Sequence, residues 1–285
     1  VRLGLSTPVV VQVPGAAAPW EAAADIDDLA MIACAADKLG FDYLTCSEHV
    51  AIPSADAATR GAVYWDPLAT LGYLAAHTRR IRLATSVLVL GYHHPLEIAK
   101  RYGTLDLISG GRLVLGVGIG SLAEEFALIG AVWDQRAARA DDALRALRAS
   151  LSNSTPQYRG RFYDYDGMMV LPHAQQQQVP IWVGGHSAAS LRRAVELADG
   201  WMPFGLPPSE VSSMLAGVVL PTGFEVVLSA VLDPEADPEG TRLKLASLKE
   251  SGATAITCAV RADSARHYCD QLARLRDTED DDDRG

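Results

Sequence analysis

Residues 81–120, IRLATSVLVLGYHHPLEIAKRYGTLDLISGGRLVLGVGIG, hold a complete strand, helix, strand unit. The run Ile81 to Leu90 is rich in β-branched and aliphatic residues, as a strand buried on both faces should be. Pro95 suits the first position of a helix, Leu96, Ala99, Tyr102 and Leu105 recur at helical spacing, and Gly110 and Gly111 stop it. The second strand, Leu113 to Val117, runs into Gly118 and Gly120, where no Cβ would keep a ligand off the backbone. Parallel strands joined by a helix place their C-terminal ends on one edge, where α/β folds bind small molecules. Thr85, Ser86, Gly118, Gly120 and Ser121 are therefore expected to share one mouth.

The unit repeats on both sides. Upstream, Arg2 to Thr7 reads as a first strand, Asp25 to Gly40 as a helix with its stop, and Tyr43 to Cys46 as a second strand delivering Ser47, Glu48 and His49. Residues 51–65 lack periodicity and read as a mobile loop, after which Asp66 and Pro67 cap and start a helix. Downstream, Trp133 to Leu151 is a helix rich in arginine. Residues 152–179 break the rhythm with Pro156, Gly160, an AspGly turn at 166–167 and four glutamines, which reads as a β-hairpin insertion after the fourth helix, followed by a loop. Strands at Ile181 to Val183, Trp201 to Phe204, Phe224 to Leu232 and Ala253 to Val260 alternate with helices at Ser187 to Ala198, Glu210 to Val219, Thr241 to Ser251 and Ser264 to Arg276. Eight pairs predict a (β/α)8 TIM barrel, the count that closes a parallel sheet, as one domain over 1–276 with an acidic, disordered tail at 277–285.

The 285 residues are 49% hydrophobic, enough for a large core, and the formal charge is −10, of which Glu279 to Arg284 supply −4. The acidic balance argues against nucleic acid or an anionic membrane as a partner. Cys34, Cys46, Cys258 and Cys269 form no CxxC pair and read as free thiols of a reducing compartment. No stretch approaches ~20 uninterrupted apolar residues and the first residues hold no basic-then-apolar signal, so a cytoplasmic location is expected.

Three segments carry candidate chemistry. GVGIGS at 116–121 has Ser121 where the dinucleotide fingerprint needs a third glycine, so that match fails. Its glycines either make a tight turn or let a flat or phosphorylated ligand lie on the backbone. GGHS at 184–187 sets Gly184, Gly185, His186 and Ser187 at a helix N-terminus, which suits a phosphate or simply a Ser187 cap. His49, after Glu48, is placed to exchange a proton with a substrate oxygen or only to pack the rim, and Glu48 to hydrogen-bond His49 or a cofactor. His93 and His94 should diverge, no metal-ligand spacing accompanies them, and no GxSxG nucleophile appears. A mouth of this kind suits an organic cofactor that carries the difficult step itself.

The segments FDYLTCSEHV (41–50), RIRLATSVLVLGYHHPLEIAK (80–100), TLDLISGGRLVLGVGIG (104–120) with EEF at 124–126, and PIWVGGHSAASLRRAVELADGW (180–201) together resemble the luciferase-like monooxygenase superfamily. Within it they resemble the oxidoreductases dependent on coenzyme F420, a deazaflavin. The resemblance implies that Glu48 and His49 lie beside the deazaflavin ring and that a cis peptide joins Ser86 to Val87 against it. It further implies that Gly118, Ile119, Gly120 and Ser121 form the strand-four segment of the cofactor site, and Gly184 to Ser187 the phosphate segment. It implies a homodimer acting on a small-molecule substrate. The sugar-phosphate dehydrogenases of this branch carry a glutamate where this chain has Ser121, which argues against glucose 6-phosphate. Glu124 and Glu125, a helical turn on, are expected to fall short of the site. Reduced FMN serving a monooxygenase of the same fold, and a cofactor-binding subunit without turnover, are the alternatives.

Overall fold

The computed structural model describes residues 1–282. Eight strands form the barrel: β1 (Arg2–Ser6), β2 (Tyr43–Cys46), β3 (Arg82–Thr85), β4 (Leu113–Gly118), β5 (Ile181–Gly184), β6 (Gly200–Met202), β7 (Glu225–Leu232) and β8 (Ala255–Val260). Each pairs in parallel with its sequence neighbours, and β8 pairs with β1 through Arg2 and Ala255, which closes the ring. Seven helices connect the strands and an eighth follows the last: α1 (Ile26–Lys38), α2 (Pro67–His77), α3 (Pro95–Ser109), α4 (Arg136–Ser150), α5 (Ala188–Leu197), α6 (Pro208–Ala216), α7 (Pro238–Glu250) and α8 (Ala265–Asp282). No helix among the described residues is long and apolar enough to cross a membrane.

Local signals start and stop these helices where the sequence places them. Asp25 accepts the Asp27 and Asp28 N–H groups to cap α1, and Asp66 accepts from Ala69 at 2.8 Å to cap α2. Gly110 ends α3 in the left-handed conformation at φ 72°. Strand alternation then divides the core in two. Leu3, Leu5, Leu44, Leu83, Leu113, Leu115 and Ile181 face the helices, whereas Tyr43, Ala84, Val114, Trp182, Met202, Val227 and Ala255 fill the barrel interior. Each leucine-sized side chain so buried contributes roughly 1.5–3 kcal/mol before entropy is charged against it. Gly4 is required by this inner layer, because a Cβ there would lie 2.2 Å from the Tyr43 ring, whose hydroxyl is fixed on Thr257 Oγ1 at 2.8 Å.

Four expectations change. The third strand, expected unbroken to Leu90, ends at Thr85; Leu88–Val89 then resumes beside Gly118 in β4, and a 3-10 turn follows at Leu90–Tyr92. Residues 51–65, expected to be irregular, contain a helical turn at Ala57–Arg60 and a short strand, Val63–Tyr64, that pairs antiparallel with Val11–Gln12. The insertion hairpin pairs Tyr158–Arg159 with Asp164–Tyr165, so it turns at 160–163 and not at the AspGly of 166–167. The cause is Asp142 on α4, which accepts from Tyr158 Oη, Phe162 N and Tyr163 N at 2.6, 2.7 and 3.2 Å and holds that turn. The last helix also runs past Arg276 to Asp282, into the stretch expected as a disordered tail, and the tail's remaining residues, 283–285, lie outside the described residues.

Candidate active site

Because all eight strands are parallel, their C-terminal ends open on one rim. Along β7 the burial pattern shows the opening: Leu228, Ala230 and Leu232 are buried while the alternating Ser229 and Val231 are exposed. Those positions face inward, in register with Thr257 and Ala259 of β8, and Ser6 at the end of β1 is exposed beside them. The upper half of the barrel interior is therefore open to solvent from this edge.

The floor of the mouth is made by the break in the third strand. The Ser86–Val87 peptide bond is cis. Ser86 N donates to Cys46 O at 2.8 Å and its carbonyl accepts from Ser47 Oγ at 2.6 Å, which locks the bulge to the end of β2. Val87 is thrust over the barrel axis. A Cβ on Gly118 would lie 2.6 Å from one Val87 methyl, and one on Gly184 2.9 Å from the other. Gly120, at φ 81°, is similarly backed by the Phe126 ring at 2.4 Å. The space on the Cβ side of Gly118, Gly120 and Gly184 is thus filled by the protein's own side chains, which accounts for glycine at these three positions. Half-buried Val87 is left as the platform a flat ring could lie on.

Glu48 and His49 do not pair with each other. Glu48 is buried; Oε2 accepts the Val89 N–H at 2.6 Å and Oε1 lies 2.7 Å from His93 Nε2. Both oxygens are spent on the chain that leaves the bulge, so Glu48 braces the platform and is not a partner of His49. The partner is Glu125, whose Oε2 is 2.8 Å from His49 Nδ1. Glu125 lies on the short helix Ala123–Leu128, is 1% exposed, and also accepts from Tyr92 Oη at 2.6 Å and from the N–H groups of Val50 and Ala51. Burial alone would raise its pKa, but the hydrogen bonds from Tyr92, His49 and the two amides outweigh burial and hold it below the ordinary carboxylate value. Burial and the bond to Glu125 push the Tyr92 phenol up, so it stays a donor. The expectation that Glu125 falls short is overturned: the helix starting at Ala123 turns it back across the mouth. Tyr64 covers the other side of His49, with ring centroids 4.6 Å apart.

His93 and His94 diverge as expected, His93 to Glu48 and His94 to the N-terminus of α3, where it accepts from Leu96 N at 3.2 Å. Ser187 caps α5 by accepting from Ser190 N at 3.2 Å, and Ser190 Oγ returns a bond to the Ser187 carbonyl at 2.7 Å. Residues 186–189 are exposed at this helix start, and the His186 ring stands edge-on to exposed Phe204 at 5.0 Å. Ile119 is half-buried and Ser121 exposed at the end of β4. The rim thus gathers a flat apolar platform, a carboxylate-held histidine and an anion-receptive helix start, a set that fits a flat cofactor ending in a phosphate.

Residues 1–219 match the family model for luciferase-like monooxygenases, and the chain belongs to that family of oxidoreductases. An uncharacterised protein of Mycobacterium tuberculosis is 31% identical over 210 residues, 70% of this chain and 72% of its own length. An F420-dependent glucose-6-phosphate dehydrogenase of Microbacterium testaceum is 31% identical over 172 residues, 59% of this chain and 49% of that protein. Among solved structures, the monooxygenase RslO1 from Streptomyces bottropensis superimposes with a TM-score of 0.76 at 21% identity, covering 98% of each chain.

Proposed function

We propose that this chain is a coenzyme F420-dependent oxidoreductase that moves a hydride between the deazaflavin and a small organic substrate, with His49 as the proton donor or acceptor. The observation that carries this reading is the bond of His49 Nδ1 to Glu125 at the mouth. An acceptor on Nδ1 keeps the proton there, so in neutral His49 Nε2 presents a lone pair and in the charged form an N–H. The ring can then give or take one proton at Nε2 without turning. The similarity to an F420-dependent dehydrogenase supports the cofactor.

Val87, pinned between Gly118 and Gly184, would carry one face of the ring, and the start of α5 would receive the phosphate through its free N–H groups. The deazaflavin would supply the hydride chemistry when bound. Tyr64 and the loop behind it would keep water from His49. The substrate of the similar dehydrogenase is not carried over, because Ser121 is exposed where that branch has its glutamate and Glu125 is committed to His49, Tyr92 and two amides.

Paired fluorescence titrations with oxidised F420 and with FMN, at one salt concentration, test the reading. Saturable binding of F420 with weak FMN binding supports it. The opposite preference turns the site over to reduced-flavin monooxygenation.

A further inference from the structure

Between α3 and α5 the same rim carries three arginines that form no ion pair with any carboxylate among the described residues. Arg136 lies over the Trp133 ring at 3.8 Å, and Arg139 and Arg161 both face Phe162, at 4.5 and 4.8 Å from its centroid. The acids of the same helix and the turn before it are occupied or exposed. Asp142 is taken by Tyr158 and the amides of Phe162 and Tyr163, and Asp141 by Arg193; Asp134 is exposed beside Trp133. Arg161 donates only to Gln135 Oε1, at 2.6 Å, and Nε of Arg136 and of Arg139 are enclosed without a hydrogen-bond partner. Two cations on one phenylalanine ring, in a chain of net charge −10, repel each other and call for an anion from outside.

The cluster's position says which anion. Trp133 packs edge-on against Phe126 at 5.2 Å, and Phe126 backs Gly120 at the end of β4. On the other side Arg193 of α5 pairs with Asp141 of α4 and donates to Ala137 O at 3.5 Å, so the first turn of α4 stands beside the start of α5. An anion chain that begins as a phosphate at the start of α5 and continues outward would pass over Arg136, Arg139 and Arg161. Coenzyme F420 has that form, since beyond its phosphate it carries a string of linked glutamates, each adding a carboxylate.

We infer that Arg136, Arg139 and Arg161, held flat by Trp133 and Phe162, form the binding site for the oligoglutamate tail of the cofactor; this rests on the F420 reading above. Stacking fixes the guanidinium planes and leaves their N–H edges for carboxylates. The site binds and does not react, so its effect is on affinity and on salt dependence.

The test is a fluorescence titration of the full chain with F420 lacking glutamates and with F420 carrying several, at low and at high salt. The tailed form should bind about tenfold tighter at low salt, since exposed charge pairs are individually weak, and the advantage should shrink as salt rises. The triple variant Arg136→Gln, Arg139→Gln, Arg161→Gln should bring the two forms to equal affinity while leaving the tail-less form unchanged. Equal, salt-independent affinities for wild type overturn the tail site and leave the F420 reading standing. Binding of FMN and of neither deazaflavin overturns both. A tail preference that survives the triple substitution, with circular dichroism showing the variant folded, places the tail elsewhere and also refutes the assignment.

Discussion

The two ends of this barrel treat charge in opposite ways. At the N-terminal end Arg2 reaches Glu225 at 2.8 Å and Asp42 at 3.6 Å, while Arg82 pairs with Asp42 and lies 5.6 Å from the Trp182 ring centroid. Arg2 and Arg82 each have an anion there, and these groups fasten one strand to the next. At the C-terminal end the buried carboxylates Glu48 and Glu125 hold loops and histidines, and Arg136, Arg139 and Arg161 have no carboxylate partner among the described residues. Paired charge marks the end that keeps the barrel closed, and unpaired or shared charge the end that meets ligands. The contrast predicts that substitutions at the two ends will move different observables.

The largest effect belongs to His49. His49→Ala should lower turnover by about 10²–10⁴-fold, the range of a lost general acid or base, with cofactor affinity within a few-fold and the thermal midpoint nearly unchanged, since the ring is half-buried. Comparable losses in turnover and affinity would move His49 to a binding role.

Next come two glycines on the same inner face. Gly4→Ala sets a Cβ 2.2 Å from a rigid, fully buried Tyr43, and Gly118→Ala sets one 2.6 Å from a methyl of half-buried Val87, which can give way toward the mouth. We expect Gly4→Ala to cost stability near the top of the ~1–3 kcal/mol range for overpacking and Gly118→Ala near the bottom. The ranking should invert for cofactor affinity, because displacing Val87 tilts the platform. Urea unfolding and the F420 titration on both variants read the two orders; the same order in both would mean the ends are not distinct.

The legibility of this molecule from its sequence divides along the same line. The eight strands and helices were readable because burial on both faces, caps such as Asp25 and Asp66, and the stop at Gly110 are local signals. His49 was singled out by its place at the end of the second strand, and the position of the Ser86–Val87 bulge was readable through resemblance. The bracing of Glu48 on His93, the reach of Glu125 and the hairpin turn held by Asp142 were not, because each depends on a side chain crossing between elements 16 to 76 residues apart in the chain. The nearest available signal for Glu125 was an acidic residue beside phenylalanine in a helix short enough to turn back over the rim.

Glu125 offers a smaller effect with a sign. Its pKa is held below the ordinary value of 4.5, so its share of stability is complete above about pH 4.5 and is lost as pH falls through the lowered folded value. Glu125→Gln should therefore be less stable than wild type at neutral pH by about 1–2 kcal/mol, as for loss of hydrogen bonds to a charged acceptor. The gap should close in acid. Urea midpoints between pH 3 and pH 7 measure it, and a gap that does not depend on pH would remove the ionised carboxylate from the account.

The smallest effect belongs to an ion pair at the closed end. Arg2 and Glu225 meet at 2.8 Å, but the Arg2 side chain is 40% exposed, and water screens a pair so placed. Arg2→Met keeps the aliphatic stem over the barrel end and removes only the charge, so the expected loss is below ~1 kcal/mol. Glu225→Gln should cost more, because that side chain is 15% exposed and also lies 4.0 Å from Arg82, which would be left with Asp42 alone. Neither change should alter cofactor affinity, since the barrel's packed interior, Tyr43 and Trp182 included, separates them from the mouth. A shift in F420 affinity with Arg2→Met would show that charge at the closed end is felt at the open one, and the division drawn between the two rims would fail.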